Sequence, residues 1–249
     1  MRLHRFYVKN TIFHDTFDVS DRELVHQWKS VFRYNVGSQV ILFDGSGIDY
    51  LCMITSLRNL GATVSVIKKN KIENNRKNIW LCVALIKKDN FELVVQKATE
   101  LGVNHIVPII CEHSEKRKIN MDRMQKIAIE SSEQSGRSDI PEIHDITTIT
   151  GLFQSGILPQ EKIAFDPIRT DGSKDPTSNG ASTSGISFRQ YLSSTNQMSI
   201  ACFVGPEGGF SDKELAQFKT YNMPIISLGT QILRAETASI AVASLLLLN

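Results

Sequence analysis

The hydrophobic pattern of the chain changes character near residue 70. Before that point, an apolar stretch at 39–43, a glycine-bearing turn and an alternating stretch at 50–54 follow one another, which predicts a β-hairpin. A further strand is predicted at 63–67, and apolar residues recur at helical spacing within 21–32. These elements together predict a small β-barrel with one short helix.

Beyond residue 78 the pattern alternates between strands and helices. One helix should begin at Asp89 or Asn90 and stop at Gly102, and later helices should start at Ser211 and near Ala235. Strands that are apolar on both faces and joined by helices predict an α/β domain with a parallel sheet covered on both sides. The predicted strands lie at 79–86, 105–111, 162–166, 199–204 and 224–228.

Two polar segments interrupt these patterns. The run at 70–78 predicts a linker between a first domain at 1–72 and a second domain at 73–249. Residues 168–187 show no periodicity and hold almost no apolar side chain. They predict a flexible surface insertion, and a lid beside the preceding strand end is the alternative.

Composition and spacing argue against several classes of protein. The four cysteines are far apart in apolar surroundings, which disfavours a zinc ribbon or a redox motif, and the six histidines lack metal-ligand spacing, so no metal site is expected. The N-terminus does not resemble a signal peptide, and the apolar run at 240–248 is much shorter than a membrane span. A soluble, cytoplasmic protein without membrane contact is expected.

Basic residues are clustered, although the formal net charge is only +2. Arg2, His4 and Arg5 stand beside two aromatic residues, and Lys87 and Lys88 follow the first predicted strand of the second domain. One such cluster is typical of a solvated surface. Three such clusters, at 68–77, 87–88 and 116–118, together with the N-terminal group and its aromatic neighbours, favour contact with RNA.

Two glycine-rich loops follow predicted strands near the C-terminus. The first reads GPEGGFS at 205–211, and Ser211 with Glu214 has the spacing of a helix capping box. The second reads LGTQILRAETA at 228–238. A tight turn with a good cap would explain part of this pattern, but neither a P-loop lysine nor a G-x-G-x-x-G string is present. Since ligands bind at the carboxyl ends of parallel strands, these loops predict a ligand site.

These loop motifs resemble the C-terminal signature of the RsmE-type methyltransferases of the SPOUT superfamily. The N-terminal MRLHRFYV, the central QKATELGV at 96–103 and EQSGR at 133–137 are similar to the family pattern in the same order, so the resemblance spans nearly the whole chain. It implies a PUA-like β-barrel followed by a trefoil-knotted domain that binds S-adenosyl-L-methionine. It also implies a homodimer that methylates N3 of a uridine in 16S ribosomal RNA of the small ribosomal subunit.

Carried over by position, the resemblance implies a set of site residues. Arg137 would then have an RNA-facing or structural role. The family often has threonine where this chain has Ala235, so any contribution of that hydroxyl is missing here. The implied cofactor-binding residues are Val204, Gly205, Pro206, Glu207, Gly208, Gly209, Leu228, Gly229, Ile232, Leu233, Arg234 and Thr237.

Arg234 is the implied catalytic side chain. The uridine imide must lose its proton on methylation, and a fixed guanidinium can stabilise the charge that spreads to O2 and O4. The alternative is that Arg234 pairs with Glu236 or Glu207 and only orders the loop. Glu207 or solvent could take the proton.

Two further hypotheses complete the sequence-based interpretation. A non-catalytic RNA-binding factor for ribosome assembly is the alternative function, although such a protein has little need of both glycine loops. The C-terminal helix at 237–248 is apolar around nearly its whole circumference, which favours a homodimer because a monomer would show a polar face.

Overall fold

The computed structural model describes residues 3–71, 77–115, 118–166, 188, 191, 197–229 and 231–248. The chain forms two compact units. The first consists of residues 1–75 with 129–140, and the second of 76–128 with 141–249. Residues 168–187 and Arg2, for which the sequence predicted an insertion and an RNA contact, lie outside the described residues.

The first unit is built on a five-stranded sheet in the order β1-β3-β4-β5-β2. The β3–β4 hairpin was predicted and is confirmed by its antiparallel pairing. Among the described residues no backbone pairing joins β1 to β2, so closure of the barrel stays a prediction. The elements are β1 Arg5–Tyr7, β2 Thr16–Val19, α1 Arg22–Ser30, β3 Gln39–Phe43, β4 Ile48–Leu57 and β5 Ala62–Lys71.

The core of this unit lies between the sheet and helix α1. Trp28 of α1 and Leu42 of β3 are fully buried in it. Asp21 caps α1 by accepting from the amides of Glu23 and Leu24. Strand β5 extends through Lys71, so the polar run taken for a linker begins as strand.

The second unit is a seven-stranded sheet in the order β12-β10-β11-β6-β7-β8, with β9 also paired to β7, and every pairing is parallel. The parallel sheet was predicted and is confirmed. Its strands are β6 Asn78–Ala84, β7 His105–Ile110, β8 Glu142–Ile143, β9 Thr147–Thr148, β10 Glu161–Phe165, β11 Ser199–Val204 and β12 Ile225–Ile226.

Its helices are α2 Lys88–Leu101, α4 Ile149–Gln154, α5 Asp212–Thr220 and α6 Ala235–Leu247. Helix α3, Met121–Ser135, begins in this unit, and its last residues group with the first. Helix α6 packs against α2, β6 and β11. Strands that are apolar on both sides belong to a sheet covered on both faces, and β6, buried from Ile79 to Ala84, shows this most clearly.

The helix boundaries test the predicted start and stop signals. Gly102 ends α2 in the left-handed conformation with φ 103°, as predicted. The predicted cap at Asp89 or Asn90 is wrong. The cap position is Lys87, which makes no side-chain cap hydrogen bond, and Asp89 lies in the first turn, where its charge favours the helix dipole. Within the described residues, no helix is long and apolar enough to span a bilayer.

Candidate cofactor and substrate site

A cleft lies at the carboxyl ends of three parallel strands of the second unit. Asp166 follows β10, Gly205 follows β11 and Ser227 follows β12. The cleft encloses about 520 Å³, part of it open to solvent. Its lining residues are Phe165, Asp166, Val204, Gly205, Pro206, Glu207, Gly209, Ser227, Leu228, Gln231, Ile232, Leu233, Ala235 and Ala238.

The first glycine loop is held close to this cleft by tight packing. A Cβ at Gly205 would come within 3.2 Å of the buried Phe210 ring. Gly209 adopts φ +71°, and its amide donates to the Pro206 carbonyl at 2.8 Å. A Cβ at Gly209 would lie 3.3 Å from an Asp166 oxygen. Glycine is therefore required here by backbone conformation and by the close approach of neighbouring groups.

The capping box at the start of α5 was predicted and is confirmed. The amide of Glu214 donates to the Ser211 hydroxyl at 3.3 Å, and the amide of Ser211 donates to the Glu214 carboxylate at 2.7 Å. The same carboxylate accepts from the amide of Glu112 at 3.0 Å. Glu214 therefore also connects the loop after β7 to the first glycine loop.

His113 makes a second connection between these loops, which sequence reasoning missed. Its Nδ1 lies 3.2 Å from the Gly208 carbonyl and 3.1 Å from the Gly209 carbonyl. A Cβ at Gly208 would meet His113 at 3.1 Å. Gly208 therefore packs against His113 and is not among the residues that line the cleft.

The second loop turns sharply between β12 and α6. The Ser227 hydroxyl donates to the Gly229 carbonyl at 2.8 Å and accepts from the Gly229 amide at 3.3 Å. Gly229 has φ +146°, a region that L side chains rarely adopt. Ile232 lines the cleft although 79% of its surface is exposed. An apolar side chain in this position is free to pack on a ligand.

Arg234 is the exposed N-cap residue of α6. Its carbonyl accepts from the amide of Ala238 at 2.8 Å, which fixes the backbone from which its side chain projects. In the part of the chain that the structure describes, no ion pair joins Arg234 to Glu207 or Glu236. The loop-ordering alternative from the sequence therefore lacks the contact that it requires.

The structure brings together most of the residues implied as cofactor contacts. Gly208, Gly229, Arg234 and Thr237 belong to the same loops and helix start but do not line the cleft. Asp166 lines it and was missed, although its position after an apolar strand was a usable signal. The implied residues that do line the cleft are Val204, Gly205, Pro206, Glu207, Gly209, Leu228, Ile232 and Leu233.

Two of the basic residues expected to touch RNA are enclosed in the first unit. Arg5 forms a salt bridge with Asp49 and also donates to the Arg137 carbonyl at 3.1 Å. Arg137 donates to both oxygens of Asp139, at 3.0 and 2.9 Å, and its side chain is 4% exposed. These guanidinium groups pair with carboxylates of their own unit, Arg5 with the buried Asp49 and Arg137 with the partly buried Asp139, so they have a structural role.

Three other predicted RNA contacts, His4, Lys87 and Lys88, are exposed. The His4 ring lies 4.4 Å from the Phe32 ring, which provides an aromatic surface beside it. Lys87 precedes α2, and the Lys88 ammonium is 3.7 Å from Glu92 with 73% of its side chain exposed. Since α2 follows β6, which is paired to β11, both lysines lie near the strand ends that form the cleft.

Known protein families are similar to this chain over both of its units. A family model described as an RNA methyltransferase domain matches residues 73–247, and an RNA methyltransferase PUA domain matches 29–67. The ribosomal RNA small subunit methyltransferase E of Rickettsia conorii is 31% identical over 252 residues, covering 100% of this chain and 97% of that protein. The chain belongs to the ribosomal RNA small subunit methyltransferase E family. The Bacillus subtilis enzyme of that name is 28% identical and covers 90% of this chain.

Solved structures of this methyltransferase family share the fold. The Neisseria gonorrhoeae enzyme, solved bound to S-adenosyl methionine, is 26% identical with a TM-score of 0.78, covering 98% of this chain and 96% of that one. A Legionella pneumophila methyltransferase, solved with the bound cofactor SAM, is 27% identical with a TM-score of 0.80, covering 99% and 97%. The resemblance carried by the loop motifs is therefore confirmed, and the N-terminal domain is PUA-like. The trefoil knot stays a prediction.

Proposed function

We propose that this protein transfers the methyl group of S-adenosylmethionine to N3 of a uridine in 16S ribosomal RNA of the small ribosomal subunit, in the cytoplasm. The observation that carries the proposal is the cleft between the two glycine loops. It lies at the carboxyl ends of parallel strands, in a family whose solved members include complexes with this cofactor.

The residues of the cleft fit the chemistry of the cofactor. The apolar side chains of Leu228, Ile232 and Leu233 offer surface for an adenine ring. The carboxylates of Asp166 and Glu207 attract the ammonium and sulfonium charges of the ligand. When bound, S-adenosylmethionine supplies an electrophilic methyl group, and these residues orient it.

Arg234 is assigned to the uridine. When N3 loses its proton, negative charge spreads to O2 and O4, and two guanidinium donors can stabilise it. The charge disappears when N3 bonds to the methyl carbon, the carbon–sulfur bond breaks and S-adenosylhomocysteine leaves. Arg234 suits this role because it is exposed and makes no ion pair with the neighbouring glutamates. Glu207, exposed at the cleft, or solvent accepts the N3 proton.

Recognition of the RNA is assigned to exposed residues on both units. His4 with Phe32 offers a stacking surface, and Lys87 and Lys88 can contact phosphates. Arg2 keeps its proposed RNA contact on sequence grounds alone. Phosphate contacts hold the RNA without specifying its sequence, so the choice of uridine depends on the cleft.

A homodimer through α6 belongs to the same proposal. Leu245 and Leu248 are 42% and 70% exposed on this helix, and apolar surface of this kind is typical of an interface. Glu236, at the start of α6, is buried, and its Oε2 has no hydrogen-bond partner among the described residues. A second copy could supply both an apolar partner and the missing donor.

The proposal is tested by identifying the modified nucleoside. Small ribosomal subunits that lack the modification are incubated with the protein and S-adenosylmethionine, and their 16S RNA is digested and analysed by mass spectrometry. We expect one new 3-methyluridine per subunit with wild-type protein. Methylation of another base, or of the ribose, would overturn the assignment to uridine N3. Absence of any methylation would favour the non-catalytic alternative.

A further inference from the structure

The opposite end of the parallel sheet carries a cluster that the methyl-transfer site does not use. His105 begins β7, and in the sheet it is paired with Trp80 on one side and Glu142 on the other. His144 lies two positions after Glu142, just beyond β8, and its amide donates to the Ile106 carbonyl of β7 at 3.0 Å, so its side chain falls on the same face as that of Glu142. Sequence spacing gave no sign of this cluster, because pairing of β7 with β8 assembles it.

The ligand atoms of this cluster are close together. His105 Nδ1 lies 3.1 Å from His144 Nε2 and 3.3 Å from a Glu142 carboxylate oxygen. One donor atom from each of the three residues can be chosen so that all lie within 4.8 Å of one another. When two imidazole nitrogens bind one zinc ion at about 2.0–2.1 Å, the distance between the nitrogens is similar to that between His105 Nδ1 and His144 Nε2.

Trp80 holds both imidazoles in place. Its ring stacks on His105 at 3.8 Å and on His144 at 4.9 Å. The imidazole centroids are only 5.3 Å apart, too close to lie on opposite faces of the indole, so both rings stack on one face. The histidine side chains are 20% and 16% exposed, whereas Glu142 is 64% exposed. Two ligands are thus preoriented, and the third faces the solvent from which an ion arrives.

We propose that His105 Nδ1, His144 Nε2 and the Glu142 carboxylate bind one divalent transition-metal ion of the zinc class. Two imidazoles and one carboxylate are a ligand set that suits zinc and leaves a fourth position for water. The site lies at the amino ends of the strands, whereas the cleft lies at their carboxyl ends. The ion is therefore remote from methyl transfer, and by binding residues of both strands it fastens the two-residue strand β8 to β7.

The test uses Trp80 as a built-in reporter. Apo-protein is titrated with Zn²⁺ alone by calorimetry and with Cu²⁺ alone by fluorescence, since a paramagnetic ion beside a stacked indole quenches its emission. We expect one Zn²⁺ per chain, quenching of Trp80 by Cu²⁺ and a rise in Tm with Zn²⁺, because an ion that binds only the folded state stabilises it. In Trp80→Phe the Cu²⁺ quenching should largely disappear while Zn²⁺ still binds.

Variants separate this site from adventitious binding. We expect His105→Gln and His144→Asn to weaken Zn²⁺ binding at least tenfold. Glu142→Gln should weaken it less, since the exposed carboxylate is held less firmly than the two stacked imidazoles. His26→Asn is the matched control, because His26 is an exposed histidine on α1 of the other unit. Unchanged affinity and stoichiometry in His105→Gln and His144→Asn, or no binding by the wild type, would overturn the proposal. The cluster would then be a hydrogen-bonded histidine pair. The rate of methyl transfer enters neither outcome, so this test is independent of the proposed function.

Discussion

Two arginines of the first unit and one arginine of the second contrast in their surroundings. In the first unit, the side chains of Arg5 and Arg137 are 11% and 4% exposed, and each is bound to a carboxylate. In the second, Arg234 stands exposed at the start of α6 and is not ion-paired with Glu207 or Glu236. An enclosed arginine stabilises the fold, whereas an exposed arginine beside a cleft is available to a substrate. Whether an arginine forms an ion pair in the structure therefore indicates its role better than the residues beside it in the sequence do.

The largest expected effect is a loss of stability of the first unit when one of its paired arginines is removed. Replacing Arg5 with alanine leaves Asp49 buried without its cation, which should cost about 3–5 kcal/mol of unfolding free energy. Urea unfolding in a Trp80→Phe background would follow Trp28, which is fully buried in the first unit. Arg22→Ala is the control, because Arg22 is exposed on α1 and should matter little. Equal stability of the Arg5 and Arg22 variants would show that the Arg5 ion pair does not stabilise this unit.

The next effect is on catalysis. Arg234→Ala should lower the rate of methyl transfer at saturating cofactor by ~10²–10³, the scale for loss of one oriented charge-stabilising group. Cofactor affinity and unfolding free energy should change little, because the side chain is exposed and does not line the cleft. Arg234→Lys should recover only part of the rate, since an ammonium lacks the planar pair of donors. A collapse of cofactor affinity with an unchanged rate would instead make Arg234 a loop-ordering residue.

A smaller effect is expected on cofactor binding from the two glycine loops. Gly229→Ala forces a side chain into φ +146°, and strain of roughly 1–3 kcal/mol should weaken S-adenosylmethionine binding about tenfold. Gly208→Ala is the matched variant, because Gly208 faces His113 and does not line the cleft. Its effect should be smaller in the same calorimetric titration. The reverse order would place the cofactor against Gly208.

The smallest effect concerns Glu133, a partly buried carboxylate of the first unit that has no ion pair with an arginine among the described residues. Burial raises the pKa of Glu133, with Glu130 adding to the effect, although the amide of Tyr7 donates to it at 2.8 Å. A raised pKa in the folded state means that stability is lost as pH rises above 4.5 through the folded value. Glu133→Gln keeps an acceptor for Tyr7 and removes the charge, so it should be more stable than the wild type at pH 7.

The pH dependence is the check on this last prediction. Urea unfolding of both proteins between pH 4 and pH 7 should show the advantage of the glutamine variant shrinking as the pH falls. If the difference in unfolding free energy between the two proteins stays constant with pH, the charge of Glu133 does not affect stability.

Local signals explain which parts of the fold could be predicted. The capping box at Ser211, the glycine stop at Gly102 and the apolar run of β11 each depend on a few neighbouring residues, and all three are confirmed. The short strands β8, β9 and β12 depend on pairing with distant strands, so their bounds could not be predicted from their own residues.

The residues of the candidate site also divide into those that a local sequence motif identifies and those that depend on contacts between distant parts of the chain. Its glycine loops are contiguous motifs and could be found in the sequence. The contribution of Asp166 depends on the neighbouring positions of β10 and β11 in the sheet. The ion pair of Arg5 with Asp49 joins residues 44 positions apart, and the contact of His113 with the Gly208 carbonyl joins residues 95 positions apart. Such contacts follow from topology, which a single sequence does not display.

The central claim is that the cleft between the two glycine loops binds S-adenosylmethionine. A calorimetric titration of the wild-type protein with this cofactor tests it most directly. We expect one site per chain, competition by S-adenosylhomocysteine and no competition by ATP or NAD. Absence of binding, or displacement of the cofactor by ATP, would contradict the assignment of the cleft.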